Sequence, residues 1–368
     1  MKITGLKLYP HVVQRQYGTV IAQEGGLAGK TRPGSAFLFI EAATDAGITG
    51  WGEVSDVEDA ETHLGDLAGL EEELNELMVG RSPYDVQQLH RELDERPDRQ
   101  EEFGRCLSCA LDMLMYDIQG RAAKRPIYDL LGGAVRQEVT ISWVAYIRED
   151  IELIRAEIAE KVDQGFRAFK LKVGVDIDLD EERVAAAREV GGPDVSLKVD
   201  ANEGWSVGEA VANIKRLNRY GLAGVETPIA RANPAEIAAV RKQVDVPILE
   251  HVQDLQYALE VLRHDAVDVF NVATTGSGGL WPARRIIAMA ESAGVGVLLG
   301  STVEMGLGTL AQLHLAATVS NLALPSDLVG PGLYRSDVLR QPLAYCQGKL
   351  AVPTGAGLGG DVDPSALA

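Results

Sequence analysis

From Val139 onward the chain alternates short β-branched runs with amphipathic helical stretches, and this alternation restricts its fold more than any other feature. The strand-like runs are VTISWVAYI (139–147), FRAFKLKVG (166–174), VSLKVDAN (195–202), LAGVETP (222–228), DVPILEH (245–251), DVFNVATT (268–275) and VGVLLGST (295–302). Between them, stretches such as IELIRAEIAEKVDQG, SVGEAVANIKRLNRYG and GLWPARRIIAMAESAG repeat apolar residues at three- and four-residue steps, the spacing of a helix with one buried face. Short links between strand and helix imply parallel strands joined by helical crossovers. Seven such units at a period of roughly 25 residues favour a closed barrel over an open doubly wound sheet. No G-x-G-x-x-G follows the first strand, which counts against a dinucleotide-binding sheet.

The first ~125 residues have another pattern. An opening strand, KITGLKLYPHVV, leads into the Gly-rich segment EGGLAGKTRPGS, and an alternating pair, AFLFIEAAT and GITGWGEVS, turns at DAG before three helical stretches. The expectation is a separate α+β domain over residues 1–125 and a barrel over 126–339. The Gly-rich tail, about 340–368, is expected to return to the first domain. Gly25 to Gly34 reads as a mobile loop, since glycine relaxes backbone restriction.

Composition narrows the partners. The 368 residues carry a net charge of −19, which argues against nucleic acid or an anionic membrane, since both need a basic surface. MKITGLKLYPHVVQRQ lacks the apolar core of a signal peptide, and no run is long enough to span a bilayer. Three cysteines give no disulfide framework. Cys106 and Cys109 form a C-x-x-C inside a helical stretch with no second ligand pair, so they read as small apolar residues of a buried face. A cytoplasmic protein is the expectation.

In parallel barrels the chemistry gathers at the C-terminal ends of the strands. Those ends supply Lys170 and Lys172 on the second strand, Asp200 and Asn202 on the third, Glu226 on the fourth, Glu250 and then His251 on the fifth, and Ser301, Thr302 and Glu304 after the seventh. The acids are spaced 200 − 172 = 28, 226 − 200 = 26 and 250 − 226 = 24 residues along from Lys172, one strand–helix unit each. Three carboxylates at one level repel one another unless a cation lies between them, and hard oxygen ligands suit Mg²⁺. Any one acid could instead cap the helix after it; three in consecutive register outweigh that. In FKLKVG both lysines point to one face of the strand. A lysine buried beside another cation loses its proton more readily, so Lys172 is the expected general base, with Lys170 depressing its pKa.

The order Lys-x-Lys, Asp-x-Asn, Glu-Thr-Pro and a fifth-strand acid resembles the enolase superfamily, most closely its muconate lactonizing enzyme subgroup. ALDMLMYDIQGRAAKRPIYDLLGG (110–133), GSGGLWPARRI and GSTVEMGLGTLAQLHLAA carry the same resemblance. It implies a modified (β/α)7β TIM barrel, an α/β fold, with an α+β capping domain. It also implies Mg²⁺ held by Asp200, Glu226 and the fifth-strand acid, and a small-molecule carboxylate whose α-proton is removed to give an enediolate. Cycloisomerisation, racemisation or epimerisation, and dehydration all follow from that intermediate. Capping loops around Tyr17–Arg32 and Trp51–Val57, with Trp51 itself a candidate contact, would select the substrate. Symmetric assembly into a homo-oligomer is implied as well. Glu304 matches a seventh-strand glutamate of the subgroup and could equally cap the following helix.

Two positions depart from the subgroup. In PILEHVQD either Glu250 or His251 takes the ligand place; oxygen suits Mg²⁺, which favours Glu250, whereas histidine would suit Mn²⁺ or Zn²⁺. In DVFNVATTGSGGL, Ala273 stands where a sixth-strand lysine faces Lys172. Alanine moves no proton, so either the chemistry uses one base, or Thr274, His251 or a water supplies the second proton. Alternatively the chain is a catalytically silent binder, or the lysine has been replaced by design. His314 reads as a packing residue within a helix.

Overall fold

The computed structural model describes residues 1–23, 26–30, 34–96, 101–148 and 150–367. Strand β1 (Ile3–Gln14) runs into a hairpin of β2 (Thr19–Gln23) and β3 (Gly26–Lys30), and the chain returns as β4 (Gly34–Thr44) and β5 (Thr49–Val54). β4 is central, antiparallel to both β1 and β5. The Gly-rich segment is therefore partly ordered as β3 rather than a loop: its residues 26–30 pair with β2, while 25 and 31–33 lie outside the described residues. Phe37 to Ile40 are all buried, because both faces of β4 are covered. Helix Glu102–Ala123 packs on the sheet, and Tyr334 stands edge-on to Phe37 at 5.3 Å. The close approach of that helix explains the glycines of GITGWGEVS. A Cβ at Gly52 would lie 2.1 Å from the carbonyl oxygen of Ala110. Cys106 and Cys109 are buried free thiols on this helix.

The second β system opens with β6 (Glu138–Thr140) and β7 (Trp143–Ala145). It continues through β8 (Ala168–Lys172), β9 (Ser196–Asp200), β10 (Gly224–Glu226), β11 (Ile248–His251), β12 (Val269–Val272) and β13 (Gly296–Leu299). β7 to β13 form one sheet in chain order, with parallel pairing at every step. Each of the seven strand-like runs of the sequence contains one of these strands. An eighth segment closes the ring. Ala323 N donates to Val297 O and Asp327 N to Leu299 O, each at 2.8 Å, and on the other side Ser142 N donates to Ser326 O at 2.8 Å. Strand alternation sends Leu249, Val269 and Leu298 to the inside, where they pack with Leu324. Their strand neighbours, such as Ile248, Phe270 and Val297, face the surrounding helices. The tail returns as β14 (Lys349–Ala351), antiparallel to β6, and Leu358 N donates to Asp117 on helix Glu102–Ala123 at 2.8 Å. No helix of the described residues is long and apolar enough to cross a membrane.

Three buried side chains anchor the first domain, and two of them, Asp112 and Glu53, tie it to helices of the ring. Asp112 receives Leu280 N at 2.7 Å and Trp281 N at 3.2 Å, capping helix Leu280–Ala293. Glu53 of β5 receives Met305 N at 2.8 Å and Gly308 N at 2.7 Å, capping helix Gly306–Thr318. Arg15 reaches Thr19 at the start of the hairpin, Ser35 of β4 at 2.5 Å and Asp56 after β5 at 2.6 Å.

Burial, aided by nearby Glu304, raises the Glu53 carboxyl from 4.5 to about 8 against the pull of its hydrogen bonds. A carboxyl raised on folding contributes stability that is complete below its unfolded pKa and is lost as pH rises through the folded value. Each unit is worth about 1.4 kcal/mol. Stability is therefore expected to decline between pH 5 and 8. Glu53→Gln should give up about 1 kcal/mol at pH 5, since an amide accepts at only one end, yet decline less steeply. Urea titrations across that range check it; parallel curves for the two proteins would remove Glu53 as the cause.

Candidate active site

The ring's upper end holds a buried network of opposite charges. Lys170 Nζ lies 2.7 Å from Asp327 Oδ2, 3.2 Å from Glu226 Oε2 and 3.8 Å from Asp200 Oδ2. Lys172 Nζ donates to Asp200 Oδ2 at 2.5 Å. His251 Nε2 stands 2.6 Å from Glu226 Oε1, to which Asn271 Nδ2 also donates at 2.7 Å. Burial alone would push the Glu226 carboxyl up; Lys170, His251 and Lys172 outweigh it and hold it well below the usual carboxylate range. Burial lowers the Lys170 pKa, but Asp327, Glu226 and Asp200 outweigh that and hold it above the ordinary lysine value.

Ligand atoms of Asp200, Glu226 and His251 lie within 4.8 Å of one another. This corrects the expectation for Glu250. Pairing sets Asp200 level with Glu226 and Glu226 level with Leu249, so on β11 the inward positions are Leu249 and His251. Glu250, between them, faces the other way. Its Oε1 receives His251 N at 2.9 Å and Thr227 Oγ1 at 3.3 Å. Burial raises its carboxyl well above the usual value, with Arg231 opposing.

Above the charges opens a cavity of about 420 Å³ lined by Asn202, His251, Asn271, Ala273, Ser301 and Thr302 among others, with Ile21, Ala22 and Gln23 of the hairpin and Glu58 as its cover. Lys172 is not among the lining residues; it is largely buried beside Asp200, still 9% exposed. In a ring of eight, β8 and β12 are diametrically opposed, so Ala273, directly after β12, stands across from Lys172. Several residues at the rim adopt left-handed backbone, Asn202 at φ 47°, Thr227 at φ 41° and Val303 at φ 57°. Such conformations cost about 1–3 kcal/mol each and gather at functional sites.

Three candidates stand elsewhere. Trp51 does not line the cavity; it is buried in the sheet's core beside Tyr9, with ring centroids 5.6 Å apart. Thr274 is buried beneath the lining with its hydroxyl unpartnered, while its neighbour Thr275 reaches the cavity. Glu304 is not the cap of helix Gly306–Thr318, a role that Glu53 fills. It lies just behind the cavity wall and receives Ser301 Oγ at 2.6 Å and Thr302 Oγ1 at 2.9 Å. His314 packs inside its helix and meets Leu358 O at 3.0 Å.

Lys198 and Asp327 are members of the charged network that sequence reasoning missed. Asp327 bridges Lys170 and Lys198, the latter at 2.8 Å. Lys198 could have been found, since it precedes Asp200 by two residues on one strand and so shares its face. Asp327 belongs to NLALPSDLVG, too short and too close to Pro325 to read as a strand.

Comparisons with known proteins agree over most of the chain. Residues 18–132 match the family described as mandelate racemase / muconate lactonizing enzyme, N-terminal domain, and residues 153–366 match that described as enolase C-terminal domain-like. The chain is 32% identical over 288 residues to the hydrophobic dipeptide epimerase of Enterococcus faecalis, covering 77% of this chain and 79% of that protein. Among solved structures, 2-chloromuconate cycloisomerase from Rhodococcus opacus superposes with a TM-score of 0.89 at 26% identity, covering 100% of this chain and 98% of that one. The Enterococcus faecalis dipeptide epimerase, in complex with Mg and the dipeptide L-Leu-L-Tyr, superposes with a TM-score of 0.86 at 27% identity, covering 98% and 100%.

Proposed function

Because the chain belongs to the mandelate racemase/muconate lactonizing enzyme family of the enolase superfamily, we propose that it works on a small carboxylate from one face only. Lys172 takes the proton next to the carboxylate, and the carbanion then expels a β-substituent, either a separate leaving group or the oxygen of a ring that opens; in reverse, ring closure forms the same enediolate and Lys172 returns the proton. The observation that carries this reading is Ala273, across the ring from Lys172. Racemisation through two opposed bases needs a proton donor on each face, and an alanine side chain supplies none.

The other candidates for a second proton are poorly disposed. Thr274 is buried outside the cavity lining, and His251 is engaged by Glu226 on the acidic side. The lining residues next to Ala273 in the chain, Asn271, Thr275 and Gly276, and those after the adjacent β13, Ser301 and Thr302, do not exchange protons near neutral pH, while Glu58, Glu102 and Glu203 belong to the same lining by way of other segments. The donor set of two carboxylates and one imidazole fits a divalent cation, with Mg²⁺ favoured by the oxygens and Mn²⁺ by the nitrogen. Bound there, the cation would offset the negative charge that grows on the substrate carboxylate as the proton leaves. Lys170, clamped by Asp327, contributes a fixed positive charge beneath the same acids. The cover formed by the hairpin and Glu58 would limit water around the carbanion.

Incubation of a panel of carboxylic acids in heavy water with Mg²⁺ tests the reading. Substrates should gain deuterium beside the carboxylate with configuration retained, alongside an elimination or ring-opened product. Inverted product formed as fast as the exchange would sink one-face chemistry. Ala273→Lys adds the missing amine, and polarimetry should then detect inversion of substrates that the parent only exchanges. A catalytically silent binder is the second reading that Ala273 favours; it predicts no exchange with any acid that binds.

A further inference from the structure

The wall facing Lys172 and Asp200 is built from β12 and β13, on the far side of the ring. Its polar groups share one orientation. Thr275 Oγ1, Ser301 Oγ and Thr302 Oγ1 all reach Glu304, at 3.2, 2.6 and 2.9 Å, and all three residues line the cavity. Glu304 also receives Thr302 N at 3.0 Å and Gln312 Nε2 at 3.2 Å. Its oxygens act as acceptors toward all five, so each hydroxyl must spend its single proton on Glu304. What each has left for the cavity is lone-pair density, with one acceptor place on Ser301 Oγ already taken by Val303 N at 2.9 Å. The left-handed turn at Val303 makes this possible, curling Ser301 and Thr302 back over the carboxylate.

Asn271 completes the pattern. Its amide nitrogen donates to Glu226 at 2.7 Å, which fixes the flip and leaves Oδ1 as an acceptor. That Oδ1 has no partner although the residue is 1% exposed and lines the cavity. Asn202 Oδ1, at the rim, is likewise buried and unpartnered. Buried acceptors left unmatched are costly, so a ligand that fits must bring donors to them. The cavity's own donors, Arg105, Arg231 and the amides of Gln23 and Gln253, belong to other elements.

We infer that the wall of Thr275, Ser301, Thr302 and Asn271 selects carboxylic acids that carry hydrogen-bond donors, hydroxyl or N–H, on the face turned away from Lys172. This deepens the proposed function and rests on the same cavity being the substrate site. A flat unsaturated diacid, which only accepts, meets lone pairs here. A polyhydroxy acid or an N-acylated amino acid does not. The discrimination belongs to binding, so it can be read without turnover.

The test uses the full-length Lys172→Ala protein with Mg²⁺ and calorimetric titration of matched acids. Glucarate, galactarate, adipate and cis,cis-muconate share six carbons and two carboxylates, and only the first two carry hydroxyls; N-acetylnorleucine and heptanoate form the N–H pair. A donor-bearing acid should bind about tenfold or more tightly than its donor-free counterpart for each matched acceptor. Tighter glucarate or galactarate identifies hydroxyl as the donor, and tighter N-acetylnorleucine identifies N–H. Adipate, muconate or heptanoate binding as tightly as every donor-bearing acid overturns the inference. Ser301→Ala with Thr302→Val should reduce the discrimination while leaving affinity for heptanoate within about threefold. Equal losses for both members of a pair would mean a general loss of shape and also overturn it. Because these readings need no proton transfer, they can fail while deuterium exchange by the parent succeeds, and the reverse.

Discussion

Replacing Lys172 with alanine is expected to lower kcat by a factor of about 10²–10⁴, the usual contribution of a positioned general base, with a much smaller change in KM. Lys172→Arg should fare no better. Arginine keeps the positive charge and the ion pair with Asp200, now at 2.5 Å, but its guanidinium does not give up a proton at any working pH. The pair of variants separates proton transfer from charge. If the arginine protein kept even a tenth of the parent's turnover, Lys172 would be an electrostatic residue and the base would have to be sought elsewhere. Exchange of the α-proton in heavy water supplies a second readout and should vanish in both proteins, whereas a folding defect would show as a lowered Tm.

Glu226→Gln should be the most damaging change to the acidic cluster, because Glu226 meets three polar side chains. Its carboxylate takes Lys170 at 3.2 Å, His251 at 2.6 Å and Asn271 at 2.7 Å with no exposure to solvent. Removing one member of such a buried pair costs about 3–5 kcal/mol, since the remaining charge stays desolvated. The amide also lacks the charge that a divalent cation requires, so stabilisation by added Mg²⁺ or Mn²⁺ should disappear along with activity. In the parent the Glu226 carboxyl is held well below its ordinary range. That contribution is full above the unfolded value and fades as pH falls toward the folded one, so the variant's deficit should shrink in acid. Calorimetric scans from pH 3 to 8, with and without the metals, measure both effects. A variant as stable as the parent at pH 7, and still protected by metal, would break the case for Glu226 as a ligand.

The ring was legible because its period is strong: each apolar run that alternates with an amphipathic helix became a strand. The closing segment was not, since a parallel strand formed by ALPSD has no long apolar run and only the four-residue helix Gly330–Leu333 after it, and its hydrogen bonds are visible only once the ring exists. Asp200 and Glu226 could be read from spacing because each ends its strand. Glu250 could not be settled that way. A shift of one residue reverses the face of a side chain, and the choice between Glu250 and His251 turned on where Leu249 points. The role of Glu304 depended on Glu53, 251 positions earlier by number, which had already taken the helix terminus. Such long-range competition for backbone donors leaves no local pattern. Trp51 misled because the resemblance places it at the start of a capping loop, while the close helix packing at Gly50 and Gly52 directs that strand into the core.

Arg15 holds the base of the hairpin, the flank of β4 and the turn after β5 with one guanidinium. The two segments that roof the cavity are therefore not independent variables. Remodelling one of them by itself, as in grafting a loop from a relative to change selectivity, pulls on the anchor of the other. A productive graft must carry residues 15–35 and 55–58 together as a single inherited part, and selectivity should change in steps rather than by degrees.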